Sequence, residues 1–226
     1  MSQKIKPTSF RLGVLKNWDS RWFADPKNRK FVLEEDSLIR KLINKKLREA
    51  GIASVEIERT ASSCRIIIKA SRPGIIIGRG GKGIEDITKL LNREISKLHK
   101  RSKLPPTEIS LTVMELGRGD ISAQVVAQNI ANDLEKRFRF RPTIKKAIED
   151  VMNHREVKGV KIKLSGRLDG AEISRREWLT RGSLPLSSLR ADIDYAEATA
   201  FATYGAVGIK VWIYKGEVFT NDEKSG

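Results

Sequence analysis

Residues 72–87 read RPGIIIGRGGKGIEDI, and the hydrophobic period changes on either side of them. Upstream, Val55, Ile57 and Arg59 alternate with Glu56 and Glu58, and Cys64, Ile66 and Ile68 keep the same two-residue period after a short TASS turn. That period puts alternate side chains on one face, so two strands are predicted. Downstream, Ile84, Ile87, Leu90, Leu91, Ile95 and Leu98 recur at helical spacing along one stripe. Ahead of the strands, Leu38, Ile39, Leu42, Ile43 and Leu47 mark another helix, beginning at Asp36 and stopped by Gly51. After the long helix come a basic loop, HKRSKLPP, and a third strand carrying Ile109, Leu111 and Val113. The order is helix, strand, strand, glycine turn, helix, strand.

A glycine-rich turn that opens a helix suits phosphate, because it lets a ligand approach the backbone and meets the helix's unpartnered N–H groups. GRGGKG at 78–83 formally fits the dinucleotide fingerprint G-x-G-x-x-G. That fingerprint needs a strand immediately before it, and Pro73-Gly74 cuts the strand short. It also needs an acid about 20 residues on, and Glu115 is too far along. A Walker loop fails because Gly83 follows Lys82 where Ser or Thr is required, and Ile76 stands at the first glycine position. The alternative is I-G-x-x-G-x-x-I, spelled IGRGGKGI at 77–84. Here Gly78 and Gly81 bracket Arg79 and Gly80, Lys82 adds a second cation, and Ile77 and Ile84 are expected to anchor the turn to the core. Such a loop clamps about four nucleotides in the KH module. The element order is that of the type II, prokaryotic KH domain.

Charge points to the same kind of partner. Lys and Arg number 44 against 28 acids, a net charge of +16 in 226 residues. A balance this basic favours a polyanion. Anionic membrane competes, but it needs a helix with a wide apolar face left open, and the apolar faces here are taken up by predicted cores. No apolar run reaches the roughly 18 residues of a membrane helix. The opening stretch, MSQKIKPTSFRLGVLKNW, lacks the apolar core of a secretion signal, and Pro7 and Gly13 interrupt an amphipathic transit helix. The single cysteine, Cys64, excludes an internal disulfide and reads as a small core residue suited to a reducing cytosol. No His, Cys and acid cluster has metal spacing, and no cofactor is expected. His99 and His154 sit beside cations and read as solvated or phosphate-facing. Asp192 and Asp194 share a strand face and read as partners of nearby cations.

The second half of the chain repeats the logic with different elements. GRGD at 117–120 reads as a hinge. Ile121, Val125, Ile130, Leu134 and Phe138 mark a helix, and Pro142 opens another that carries Ile144, Ile148 and Val151. Val160, Ile162 and Leu164 alternate with Lys161 and Lys163; Leu189, Ala191, Ile193 and Tyr195 alternate with charges; Val207, Ile209, Val211 and Ile213 flank Lys210. The prediction is two helices over a sheet with one apolar and one charged face. The expected organisation is an α/β (α+β) chain: an N-terminal arm over 1–35, the KH domain over 36–117, a two-helix-plus-sheet domain over 118–217 and a tail over 218–226.

Beyond these patterns, SQKIKPTSFRLG, RPGIIIGRGGKGIE, SGRLDGAEISRREW and LRADIDYAEATAFATYGAVGIKVWIYKGE resemble the family of the third small-subunit ribosomal protein in its bacterial-type form. The resemblance covers essentially the whole chain and is most specific over 165–217. It implies a non-enzymatic, RNA-binding place in the head of the small ribosomal subunit. It further implies contacts with ribosomal RNA and with the tenth and fourteenth small-subunit proteins, and a position lining the channel by which mRNA enters, with a non-hydrolytic part in unwinding it. The localisation implied is the ribosome, in cytoplasm or in an organelle with its own genome. Arg141 and Lys145 match the family's channel-side cations. Pro142 stands where bacterial relatives often carry another arginine, with Arg139 and Lys146 nearby. The residues themselves support this placement, since 136–146 holds six cations and no acid and such a run attracts a single strand. Lys4, Lys6, Arg11 and Lys16 on the arm, and Arg167, Arg175, Arg176 and Arg181 in the specific stretch, are candidate ribosomal RNA contacts, because cationic side chains bond phosphate oxygens and guanidinium groups fork onto them. Trp178 and Trp212 are candidates either for base stacking or for packing.

Overall fold

The structure is a computed structural model and describes residues 5–60, 63–102, 108–117 and 120–219. A one-turn helix α1 (Pro7–Phe10) and a two-residue strand β1 (Ser20–Arg21) come first. They are followed by α2 (Arg29–Lys46), β2 (Ile52–Arg59), β3 (Ser63–Ala70), α3 (Pro73–Ile77), α4 (Lys82–Ser102) and β4 (Glu108–Glu115). Then come α5 (Ala123–Glu135), α6 (Phe140–Met152), β5 (Gly159–Gly166), β6 (Arg175–Gly182), β7 (Ala191–Ala202) and β8 (Gly205–Glu217). The chain is mixed α/β, and α2 to β4 run in the helix-strand-strand-helix-helix-strand order of the KH resemblance.

Two compact units result: Trp18–Gly117 is one, and the segments on either side of it together make the other. The first 35 residues therefore do not form a single extended arm. Residues up to Asn17 belong with the C-terminal unit, β1 adds to the sheet of the KH unit, and α2 begins at Arg29, seven residues before the predicted Asp36.

In the KH unit the sheet order is β1-β2-β3-β4, with β2 antiparallel to β3 and β3 parallel to β4. Ile39 and Ile43 of α2, Ile57, Ile66 and Ile68 of the sheet, Ile76 of α3 and Leu91 and Ile95 of α4 form its core. Cys64 is buried there, and burial pushes its thiol up to about 11, so it stays protonated and unreactive at neutral pH. Arg59 occupies an apolar position of the β2 pattern, and its side chain is largely buried with partners that sequence periodicity does not reveal. Its guanidinium donates to Glu35 at 2.6 Å and to Asp36 at 2.6 and 3.0 Å. Trp22 Nε1 donates to the other Asp36 oxygen at 2.8 Å, and His99 Nε2 lies 2.6 Å from Glu35. His99 is thus a largely buried structural residue rather than a solvated or phosphate-facing one.

The C-terminal unit sets α5 and α6 against one face of an antiparallel sheet ordered β6-β5-β8-β7. Ala123, Ala127 and Ala131 of α5 are buried with Ala196 and Ala200 of β7; small side chains on both elements let them approach closely. The start of α5 is capped by Ser122 Oγ, which accepts from Gln124 N, and by Asp194, which accepts from Ala123 N at 2.7 Å. Phe138 does not continue the helical face as predicted. The α5 helix ends at Glu135, Arg137 takes a left-handed φ of 67°, and Phe138 turns outward, 58% exposed. Strand β6, which the sequence pattern does not announce, forms the sheet edge beside β5.

Candidate nucleic-acid interface

The glycine loop is built by backbone contact. Pro73 starts α3, which ends at Ile77 and is capped by Gly78. A Cβ on Gly83 would lie 2.4 Å from the Ile76 carbonyl oxygen, so only glycine lets the first turn of α4 approach α3 this closely. Gly80, at φ 62°, has nothing within 4 Å of a built Cβ and faces open space. Its near neighbours in the chain Arg79 and Lys82 are exposed, and Arg72, which pattern reading missed, is exposed ahead of α3. The core anchor is Ile76, fully buried; Ile77 is 40% exposed, so it does not anchor the turn as predicted, and Ile84 is half-buried. The helical α3 in front of the loop removes the strand that a dinucleotide fingerprint requires. What remains is a rigid, cationic turn, its backbone accessible at Gly80 and leading into the N-terminus of a 21-residue helix.

A test follows from the open space at Gly80. Replacing Arg79 and Gly80 together by Asp is expected to leave the fold intact, since Asp tolerates a left-handed φ better than most residues. Affinity for single-stranded RNA is expected to fall by about tenfold or more, because two anions replace a cation and an open backbone position. Circular dichroism and fluorescence anisotropy measure the two effects, and unchanged affinity removes the loop from RNA binding.

A second site lies in the C-terminal unit. A cleft of about 830 Å³ opens at the start of α6, lined by Arg137, Arg139, Arg141, Arg167 and Arg175 together with Phe138 and Tyr204. Several of these cations sit over rings: Arg167 over Tyr204 at 5.9 Å, and Arg141 and Arg175 over Phe140 at 5.6 and 5.5 Å. Asp169 stands at the cleft wall with a φ of 54° and accepts from Phe140 N at 3.3 Å, fixing the start of α6. The two non-glycine residues with positive φ among those described, Arg137 and Asp169, both line this cleft. Glu177 bridges Arg141 and Arg175 at 3.5 and 3.3 Å, and these partly exposed pairs hold the arginines weakly.

The predicted site residues thus separate. Arg139, Arg141, Arg167 and Arg175 meet in one cleft, and Arg137, Phe138 and Tyr204 join them from outside the prediction. Lys145 and Lys146 are exposed further along α6 and do not line the cleft. Arg176 points to the opposite face of the sheet from Arg175, being its neighbour on one strand, and Arg181 lies at the far end of β6, opposite Val160. Lys16 pairs with Asp194 at 3.4 Å. Arg11 is not an RNA contact: it is fully buried, and its guanidinium donates to the carbonyls of Pro7, Leu186, Ser188 and Ala191 at 2.6–3.2 Å. Lys6 lies over the Tyr195 ring at 5.8 Å. Lys4 falls outside the described residues. Among the described residues, no group of His, Cys and acids could hold a metal ion, and no helix is long and apolar enough to cross a membrane.

Comparison with known proteins gives a family match in each half of the chain. The family described as "KH domain" matches residues 38–121, and that described as "Ribosomal protein S3, C-terminal domain" matches residues 130–213. The chain is 45% identical over 224 residues to small ribosomal subunit protein uS3 of a Synechococcus species, covering 99% of this chain and 88% of that protein. It belongs to the ribosomal protein S3 family. The uS3 of Caldicellulosiruptor saccharolyticus is 47% identical over 218 residues, 96% of this chain and 94% of its own. That of Desulforamulus reducens is 43% identical over 99% of this chain and 96% of its own. In this S3-family chain the two family matches fall on the two units that carry the glycine loop and the arginine cleft.

Proposed function

We propose that this chain is a structural, non-enzymatic component of the small ribosomal subunit. It binds ribosomal RNA and takes single-stranded mRNA along the cleft at the start of α6. The observation that carries the mRNA reading is the cleft itself, which five arginines line together with the exposed rings of Phe138 and Tyr204. Fixed cations and stacking surfaces stabilise a single strand without reading its sequence and so disfavour its return to a duplex, with no hydrolysis required. The relatives' name, small ribosomal subunit protein, supports placement in that particle. The tenth and fourteenth small-subunit proteins are the proposed protein neighbours.

Sedimentation of tagged chain from lysate at raised salt tests the placement. Co-migration with the small subunit is expected, lost when the subunit is unfolded; migration near the top with mixed RNA would instead make this a free KH regulator. The cations along α6 have their own test. Arg141 and Lys145 are four apart on α6 and share a face. Replacing both with Ala is expected to slow translation of structured messages several-fold more than unstructured ones. Equal slowing of both removes the unwinding role.

A further inference from the structure

The face of the C-terminal sheet turned away from α5 and α6 carries a pattern that neither the glycine loop nor the arginine cleft explains. Strand register lays its side chains out in rows. One row runs Trp178, Lys163, Lys210, Glu197 across β6, β5, β8 and β7. The next, about 7 Å along the strands, runs Thr180, Lys161, Trp212, Tyr195. On the other side, Arg176 lies opposite Ser165, which lies opposite Gly208. Four cations therefore share this face with one acid. Trp178 is 60% exposed at the sheet edge. Trp212 and Tyr195 stack at 5.1 Å with their rings tilted by 44°, and Lys161 sits over the Trp212 ring at 5.7 Å.

The platform is held in shape. Tyr195 donates to Glu197, which also bridges Lys210 at 3.2 Å; this hydrogen bond draws the carboxyl of Glu197 below its ordinary range. Leu184 and Leu186 pack beside Trp212 over Ala191, Ile193 and Tyr214 and close one end of the face. Lys6, Pro7 and Phe10, pinned through Arg11, wall another side, leaving a cleft of about 880 Å³ above Lys161, Lys163, Lys210 and Trp212.

We propose that this open sheet face is a separate platform for single-stranded RNA, stacking unpaired bases on Trp178 and on the Trp212–Tyr195 pair while Lys163, Lys210 and Arg176 hold the intervening phosphates. The proposal rests on the reading of this chain as an RNA-binding ribosomal component. A four-stranded sheet with aromatic rings on its open face is an established way to hold two or three splayed bases, and the excess of cations selects a polyanion over an apolar protein segment.

The experiment uses the full chain carrying Arg79→Asp, Gly80→Asp, Arg139→Ala and Arg141→Ala, so that the glycine loop and the arginine cleft are both weakened. Binding of a fluorescent single-stranded RNA 12-mer and of an RNA duplex is compared before and after adding Trp178→Ala and Lys163→Ala. Single-strand affinity is expected to drop by about tenfold or more, the scale of one lost base stack with a phosphate contact, while the duplex is affected less. Circular dichroism checks the fold, and Trp178→Phe, which keeps a stacking ring, is expected to restore most of the affinity. Unchanged single-strand affinity with an intact fold overturns the platform, as does loss of incorporation into the small subunit without a change in RNA affinity, which would assign the face to a protein neighbour. Reconstitution on naked ribosomal RNA, against binding of mRNA by the complete subunit, separates the two sources of RNA: a defect in either supports the platform and names its ligand. Failure of the wild-type chain to sediment with the small subunit would remove the ribosomal placement but leave this binding result standing.

Discussion

Replacing Arg59 with alanine is expected to destabilise the KH unit by about 3–5 kcal/mol, the cost of leaving buried charges without their partner. The side chains of Arg59, Glu35 and Asp36 are 9%, 4% and 7% exposed, so little water reaches the carboxylates once the guanidinium is gone. For a unit of this size that loss corresponds to a fall in melting temperature of well over about 10 °C. Urea unfolding followed by circular dichroism measures it. The surface pair Lys89–Glu85, two-thirds or more exposed on both sides, is the control: Lys89→Ala is expected to cost about 0.5 kcal/mol or less. Equal effects from the two variants would show that the buried cluster contributes no more than a surface contact. A well-packed apolar replacement of the whole cluster is a different experiment, because it removes the charges along with the pairing.

The second large effect is expected at Arg11. Its guanidinium gathers carbonyls from α1 and from the 185–191 stretch, and it is fully buried. Alanine there strands several acceptors, each costing about 1–3 kcal/mol when unsatisfied. The summed loss is expected to exceed about 3 kcal/mol and to be local first. Residues 5–17 are expected to become protease-sensitive and to lose hydrogen-exchange protection, while α4 and β3 of the other unit keep theirs. Lysine, which keeps the charge but not the fork, is expected to rescue little. Wild-type protection in the alanine variant would show that the segment is held by its apolar contacts alone.

These two residues also mark where sequence stops being legible. The order of the KH unit is readable because each element carries its own period and a glycine turn separates them. The same holds for β5 and β8, whose alternation is regular. Arg11 and Arg59 carry no such local mark. Apart from Pro7, the Arg11 acceptors Leu186, Ser188 and Ala191 lie 175–180 positions away, and His99 meets Glu35 across 64 positions. An arginine in an arm looks like a phosphate contact until its acceptors are placed around it. Strand β6, RREWLTRG, alternates nothing because it is a sheet edge with charged residues on both faces. The arginine cleft was half legible. Its 137–141 wall is a visible run of cations, but Arg167, Arg175 and Tyr204 reach it only through the fold. The rows of the open sheet face appear only once register is known, since Trp178 and Tyr195 belong to opposite edges of the sheet.

The seat of Arg11 also sets an order of events during synthesis. Trp18–Gly117 is a continuous stretch and can complete its core as soon as it emerges. The first residues of the chain, by contrast, must wait for the Ala191 carbonyl, 180 positions later. At about 5–20 residues per second the wait is on the order of 10 to 40 s. During that interval the KH unit has its whole sequence while the C-terminal unit does not, and it is the stretch leading into β7 that draws Arg11 and the segment around it into place.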